Sequence, residues 1–130
     1  MRIPESELIL NSAGTIFHLH IKPEQLADLV ILVGDPGRVG MIAEYLTDIE
    51  FQNTSREFCI TTGKYNGKRI TVMSTGIVTG NVDIVMTELD ALANIDFETR
   101  EVRPEHKTLT LLRIGTTGSL QPDLTLGSPV

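Results

Sequence analysis

The sequence predicts a mixed, mostly parallel α/β sheet flanked by helices, on three observations. The run DLVILV, residues 28–33, is short, β-branched and continuously apolar, the pattern of a strand buried on both faces. The span NVDIVMTELDALANI sets Val82, Val85, Met86, Leu89, Leu92 and Ala93 on one helical stripe, with Asp83, Glu88 and Asp90 largely off it. Between them, REFCITTG and KRITVMST flank Asn66-Gly67, which supplies the positive φ angles of a two-residue hairpin.

The other elements follow in order. After residues 28–33 come Gly34, Gly37 and Gly40, and RVGMIAEYL then places Val39, Ile42, Ala43 and Leu46 at helical spacing, with Pro36 stiffening the turn before the helix. Beyond the hairpin and the amphipathic helix, DFETREVRPEHK is a surface loop by composition. TLTLLRIG, residues 108–115, reads as a second buried strand running into GTTGSL. The order is β-α-β-β-α-β, with a glycine-rich turn at the C-terminal end of each buried strand. Open α/β sheets bind ligands at those ends, so the two turns are placed to share a pocket. Two helices cannot cover both faces of four or more strands, and LTLGSPV looks like the start of another strand. Residues 1–130 are therefore expected to be the N-terminal portion of a single domain, completed by a partner or cut from a longer chain.

Bulk properties remove several function classes. An apolar content of 41% supports a real core, and a formal net charge of −6 with eleven scattered Lys and Arg argues against a nucleic-acid surface. One cysteine, Cys59, excludes an internal disulfide and suits a reducing, cytoplasmic compartment. Arg2, Glu5 and Glu7 interrupt the N-terminus as no signal peptide would tolerate, and no stretch is long enough to span a bilayer.

Four groups of residues carry potential chemistry. The spacing of Gly34, Gly37 and Gly40 is not the dinucleotide fingerprint, and no Lys-Ser/Thr follows to make a P-loop. What remains is a turn whose N–H groups and following helix N-terminus favour an anion, with Arg38 offering a planar fork of donors; from the loop alone, a plain strand-to-helix turn with a solvated arginine is the favoured reading. Arg113 lies near the end of a strand expected to be buried, where it needs a carboxylate, such as Asp35 or Asp123, or a bound anion. Thr116 and Thr117 follow between Gly115 and Gly118, so the two turns together suggest an oxyanion or phosphate cradle. His18 and His20 share one face if their segment is a strand, but no third ligand is evident, and a hydrogen-bonding role is expected rather than zinc. Arg56 and Glu57 open a hairpin strand, where charge ordinarily protects an edge.

The segments FHLHI, GDPGRV, SREF, TGKYNGKRITVMSTGI and LRIGTTGSLQPDL, in this order from Phe17 onward, resemble the nucleoside phosphorylases, in particular the uridine phosphorylase branch. The purine branch typically differs at STGI and RIGTTG. Nucleosidases of the same fold use water instead of phosphate, against which the pair Arg38 and Arg113 speaks. The resemblance implies that Gly34, Arg38, Arg113 and Thr116 hold phosphate, with Arg38, Arg113 and Thr116 as the catalytic set, and that Thr117 lies beside the nucleoside. It further implies that His18 and Arg56 reach into a neighbouring subunit's site, the histidine to the ribose 5′-hydroxyl and the arginine to phosphate, in a dimer within a larger ring. Arg56 is then functional rather than protective. No cofactor is implied; inorganic phosphate is the co-substrate. Some members hold a monovalent cation where Glu57 stands, which is not expected here.

The implied reaction needs no side-chain nucleophile. Phosphate attacks C1′ as the base departs through an oxocarbenium-like transition state, so positioning and electrostatics dominate. Two departures stand out: Val78 where the family usually has glycine, and a base-selecting Gln/Arg pair and Met-Glu ribose clamp that lie in a C-terminal half outside these residues. The expectation is therefore a nucleoside phosphorylase, most simply uridine-type, with little or no turnover from these 130 residues alone. The alternatives are a non-catalytic anion-binding or assembly module, and a purine phosphorylase or nucleosidase of the same fold.

Overall fold

The computed structural model describes residues 1–130. The apolar run forms an inner strand of the main sheet, β1 (Leu29–Val33), followed by α1 (Pro36–Ala43). Asp35 caps that helix, its Oδ1 accepting the Gly37 N–H at 2.8 Å, and Pro36 occupies the first helical position, where its missing N–H costs nothing. The helix is shorter than its apolar spacing suggests: Tyr45 and Leu46 only continue it as turns, and Leu46 still packs against the core.

The next strand, β2 (Thr47–Ser55), was not legible as one, because it is largely polar and mostly exposed along the sheet edge. Strand β3 (Phe58–Tyr65) pairs antiparallel with it, and β4 (Lys68–Ser74) returns antiparallel through Asn66 (φ 49°) and Gly67 (φ 76°), the hairpin the sequence predicts. The long amphipathic span is α2 (Thr79–Asn94). The polar stretch after it is not simply a loop, for it holds a miniature hairpin, β5 (Ile95–Asp96) and β6 (Glu101–Val102). Last comes β7 (Thr110–Arg113).

The main sheet has the order β2-β3-β4-β1-β7. Both neighbours of β1 run parallel to it and only β3 runs against the rest, so the sheet is mixed with a mostly parallel direction, as expected. Alternation along β1 sends Val30 and Leu32 to a core shared with Phe58, Ile60, Met73, Val85, Leu89 and Leu92, beneath α2. Val33 faces the opposite way, with Val39 of α1, Ile70 and Val72. The two helices thus cover opposite faces.

Three expectations are corrected. β7 is not buried: it pairs only with β1, and Leu111, Leu112 and Ile114 remain 42%, 52% and 45% exposed. No strand forms in LTLGSPV, which runs as exposed turns and irregular chain. The segment holding His18 and His20 is a turn, in which Leu19 and Ile21 are buried and His20 adopts φ 52°.

Asp96 shapes the exit from α2, its Oδ1 accepting the N–H groups of Thr99 and Glu98, each at 2.9 Å. Those bonds, Thr99's foremost, hold its carboxyl below the usual range. A depressed folded-state value contributes stability above the unfolded-state value of about 3.9, and that contribution is lost as pH falls through the folded value. Asp96→Asn is therefore expected to melt below wild type at pH 7, with the gap narrowing as pH falls below about 3.9; thermal unfolding across that range checks this.

Candidate active site

Register brings the ends of the parallel strands level: Val33 pairs with Ser74, and Leu32 with both Met73 and Arg113. The lacing continues past the strands, where Thr75 N–H donates to Val33 O at 2.8 Å and Ile114 N–H to Leu32 O at 2.9 Å. Gly34, Gly76 and Gly115 consequently lie at one end of the sheet.

The Arg113 guanidinium lies beside two of them, Gly34 and Gly115. A methyl group on Gly34 would stand 3.7 Å from Arg113 Nη2 and 3.6 Å from Gly76 O, and one on Gly115 would stand 2.5 Å from Nη1. The guanidinium therefore folds over its own turn and against the β1–α1 turn. It is not buried as the strand pattern suggests, because β7 is an edge; nor does it take the ion pair with Asp35 or Asp123 that the sequence allows, as no carboxylate lies within 4.0 Å. Gly76 itself adopts φ 69°, a conformation that a β-carbon resists.

The β1–α1 turn departs from expectation. Its helix N-terminus is already capped, since Asp35 takes the Gly37 N–H with its side chain and the Arg38 N–H with its carbonyl. The N–H groups of Gly34 and Asp35 precede the cap and have no partner within the chain, so the free donors lie before the helix. Arg38 is the third helical residue, and its guanidinium makes neither an ion pair nor a hydrogen bond within the chain.

Arg56 and Glu57 form the tight turn between β2 and β3 rather than the start of a strand, with Arg56 at φ 55°. Ser74, fully buried at the end of β4, fixes this turn: its Oγ donates to Glu57 O at 2.6 Å and accepts the Cys59 N–H at 2.8 Å. Asn81 of α2 adds a bond from its Nδ2 to Glu57 Oε1 at 3.3 Å. The turn carrying Arg56 is thereby tied to the same sheet end as Gly34 and Arg113. Thr116 and Thr117 follow β7 in exposed irregular chain.

His18 is placed elsewhere, against the middle of α2, with its Nδ1 2.6 Å from Glu88 Oε1. Sequence reading set Glu88 off the apolar stripe, yet the residue is buried. The signal was present, since residues 85, 88 and 92 have the i, i+3, i+7 spacing of one helix face. Ser74 and Gly76 were likewise missed as parts of the site: nothing in a serine at a strand end announces that it fastens a turn.

A family model described as Phosphorylase superfamily matches residues 28–130. The chain belongs to that superfamily. Within it, the chain is 40% identical over 114 residues to the uridine phosphorylase of Haemophilus influenzae, covering 86% of this chain and 40% of that protein. It is 37% identical over 110 residues to a DeoD-type purine nucleoside phosphorylase of Thermoanaerobacter sp. (strain X514), covering 84% of this chain and 42% of that protein. A solved Trypanosoma brucei nucleoside phosphorylase, which shows uridine phosphorylase activity, matches with a TM-score of 0.84 at 34% identity, covering 91% of this chain and 41% of that one. The chain thus spans about 40% of the length of the curated relatives it matches.

Proposed function

We propose that these residues form the phosphate-holding portion of a nucleoside phosphorylase, most simply a uridine-type enzyme, that converts a nucleoside and inorganic phosphate into free base and pentose 1-phosphate. The observation that carries the proposal is the Arg113 guanidinium lying against Gly34 and Gly115 without a carboxylate partner. An arginine fork beside two unpaired backbone N–H groups suits a tetrahedral dianion, and a lysine would not reproduce its planar geometry. Arg38 and Arg113 hold the phosphate, Gly34 lets the backbone approach it, and Thr116 adds a hydroxyl. Thr117 lies beside the nucleoside. Arg56 and His18 serve a neighbouring subunit's site, the first through phosphate and the second through the ribose 5′-hydroxyl, in a cytoplasmic homo-oligomer.

In this reading the chain's own groups position rather than react. The two guanidinium groups hold the nucleophilic phosphate beneath C1′ and offset its charge, while the anion in turn stabilises the oxocarbenium-like sugar as the bond to the base breaks. No cofactor is required. Both uridine and purine phosphorylases are among the relatives, and the uridine assignment rests on the STGI and RIGTTG segments together with the likeness to the Haemophilus influenzae and Trypanosoma brucei proteins.

The test is phosphate-dependent loss of uridine, with a purine nucleoside run alongside, on the purified chain together with a phosphate-binding titration. Uracil release that requires phosphate establishes the activity outright. Phosphate binding with little or no turnover is the outcome expected of the phosphate-holding portion on its own, and a chain that neither binds phosphate nor releases base overturns the proposal.

A further inference from the structure

A glutamate on the apolar face of a helix is stable as a carboxylate only if its oxygens are met by donors. Those of Glu88 are. Oε1 accepts the His18 N–H at 3.0 Å and faces His18 Nδ1 at 2.6 Å, while Oε2 accepts the Leu19 N–H at 2.9 Å and stands 3.2 Å from the His18 nitrogen. The Glu88 side chain is only 10% exposed, against 29% for His18. Phe17 completes the enclosure, its ring meeting the imidazole edge-on with centroids 4.9 Å apart.

A neutral imidazole carries one N–H, and a carboxylate can only accept. The nitrogen facing Glu88 must therefore be the protonated one, which leaves Nε2 with a bare lone pair. Nothing within the chain bonds to Nε2, and the pair borders a hollow of about 250 Å³ lined by Ile9, Ile16, Phe17 and Ile84. Two backbone bonds would suffice to tie this turn to α2, so the short contact to the ring has a separate consequence.

We infer that Glu88 is a positioning residue that fixes His18 in the Nδ1–H form, so that Nε2 stands ready to accept a hydrogen bond from a hydroxyl-bearing ligand. The inference rests on the proposed function only for the source of that hydroxyl, a nucleoside's sugar; the tautomer itself does not depend on it. Glutamine cannot substitute. Its amide has one accepting oxygen where two are used, and an NH₂ turned toward Nδ1 would donate to the ring and move the ring proton to Nε2.

The experiment is ¹⁵N NMR of the histidine rings of the 130-residue chain at a pH where His18 is neutral. Wild type is expected to show protonated Nδ1 and bare Nε2, and Glu88→Gln to reduce the Nδ1–H form from the dominant to the minor tautomer. Bare Nδ1 in wild type overturns the inference, a measurement that needs no variant to fold; so does a folded Glu88→Gln that keeps its Nδ1–H. Phosphate titration of the same wild-type sample separates the two proposals. The expected tautomer without phosphate binding sustains the role of Glu88 and sinks the phosphorylase reading, and the reverse pattern does the opposite.

Discussion

Arg113→Ala is expected to abolish the protection that inorganic phosphate gives the chain against thermal unfolding. A ligand that binds only the folded state at a hundred times its dissociation constant stabilises by about 2.7 kcal/mol, which for a domain of this size is roughly 10 °C in Tm. Arg113 lies against the Gly34 turn with no internal ion pair, so removing it takes away the fork without leaving a buried acid unpaired. The variant without phosphate should then melt close to wild type. Arg113→Lys should recover little of the shift, because a point charge does not offer two parallel donors. Scanning fluorimetry with and without phosphate measures both effects, and a full phosphate shift in Arg113→Ala would place the anion elsewhere.

Phe58→Ala is expected to carry the largest cost to stability, about 3–5 kcal/mol, or on the order of 10–20 °C. Phe58 is 1% exposed at the start of β3, packed in the core beneath α2, and it directly follows the turn that holds Arg56. The loss is a large share of the roughly 5–15 kcal/mol that typically holds a domain together. Phe17 provides the control: it is the same residue type but 40% exposed, so Phe17→Ala should cost far less. Denaturant midpoints of the two variants decide the matter, and equal midpoints would mean that the core is not where the structure puts it.

What could be read from the chain without its fold was decided by periodicity. The run LVILV and the stripe through Val85, Leu89 and Leu92 are explicit because burial on two faces, or on one helical face, leaves a repeating apolar signal. Asn66-Gly67 is equally explicit, since few other dipeptides accept both positive φ angles. β2 was hidden because an edge strand is free to be polar, and its pairing to β3 is decided by the neighbour rather than by its own composition. β7 misled in the opposite sense. Its residues suit an interior strand, but only β1 stands beside it here, so Arg113 is exposed at an edge rather than compelled by burial to find an anion.

The site was legible in its residue types and hidden in its fastenings. Arginines and glycines at the strand ends point to an anion, whereas the helix cap by Asp35 and the bridging hydroxyl of Ser74 depend on side-chain directions that spacing does not encode. Glu88 shows the limit most plainly. A charge at position 88 reads as solvent-facing until the turn bearing His18 and Leu19 is folded over it, bringing its donors from about seventy residues away.

The most direct measurement is a crystal structure of the chain grown or soaked with inorganic phosphate. The account predicts a single tetrahedral anion at the C-terminal ends of β1 and β7, within hydrogen-bonding reach of the guanidinium groups of both Arg38 and Arg113. An anion held by one of these arginines while the other points to a different region, or no anion at concentrations far above those expected to saturate the thermal shift, would contradict it.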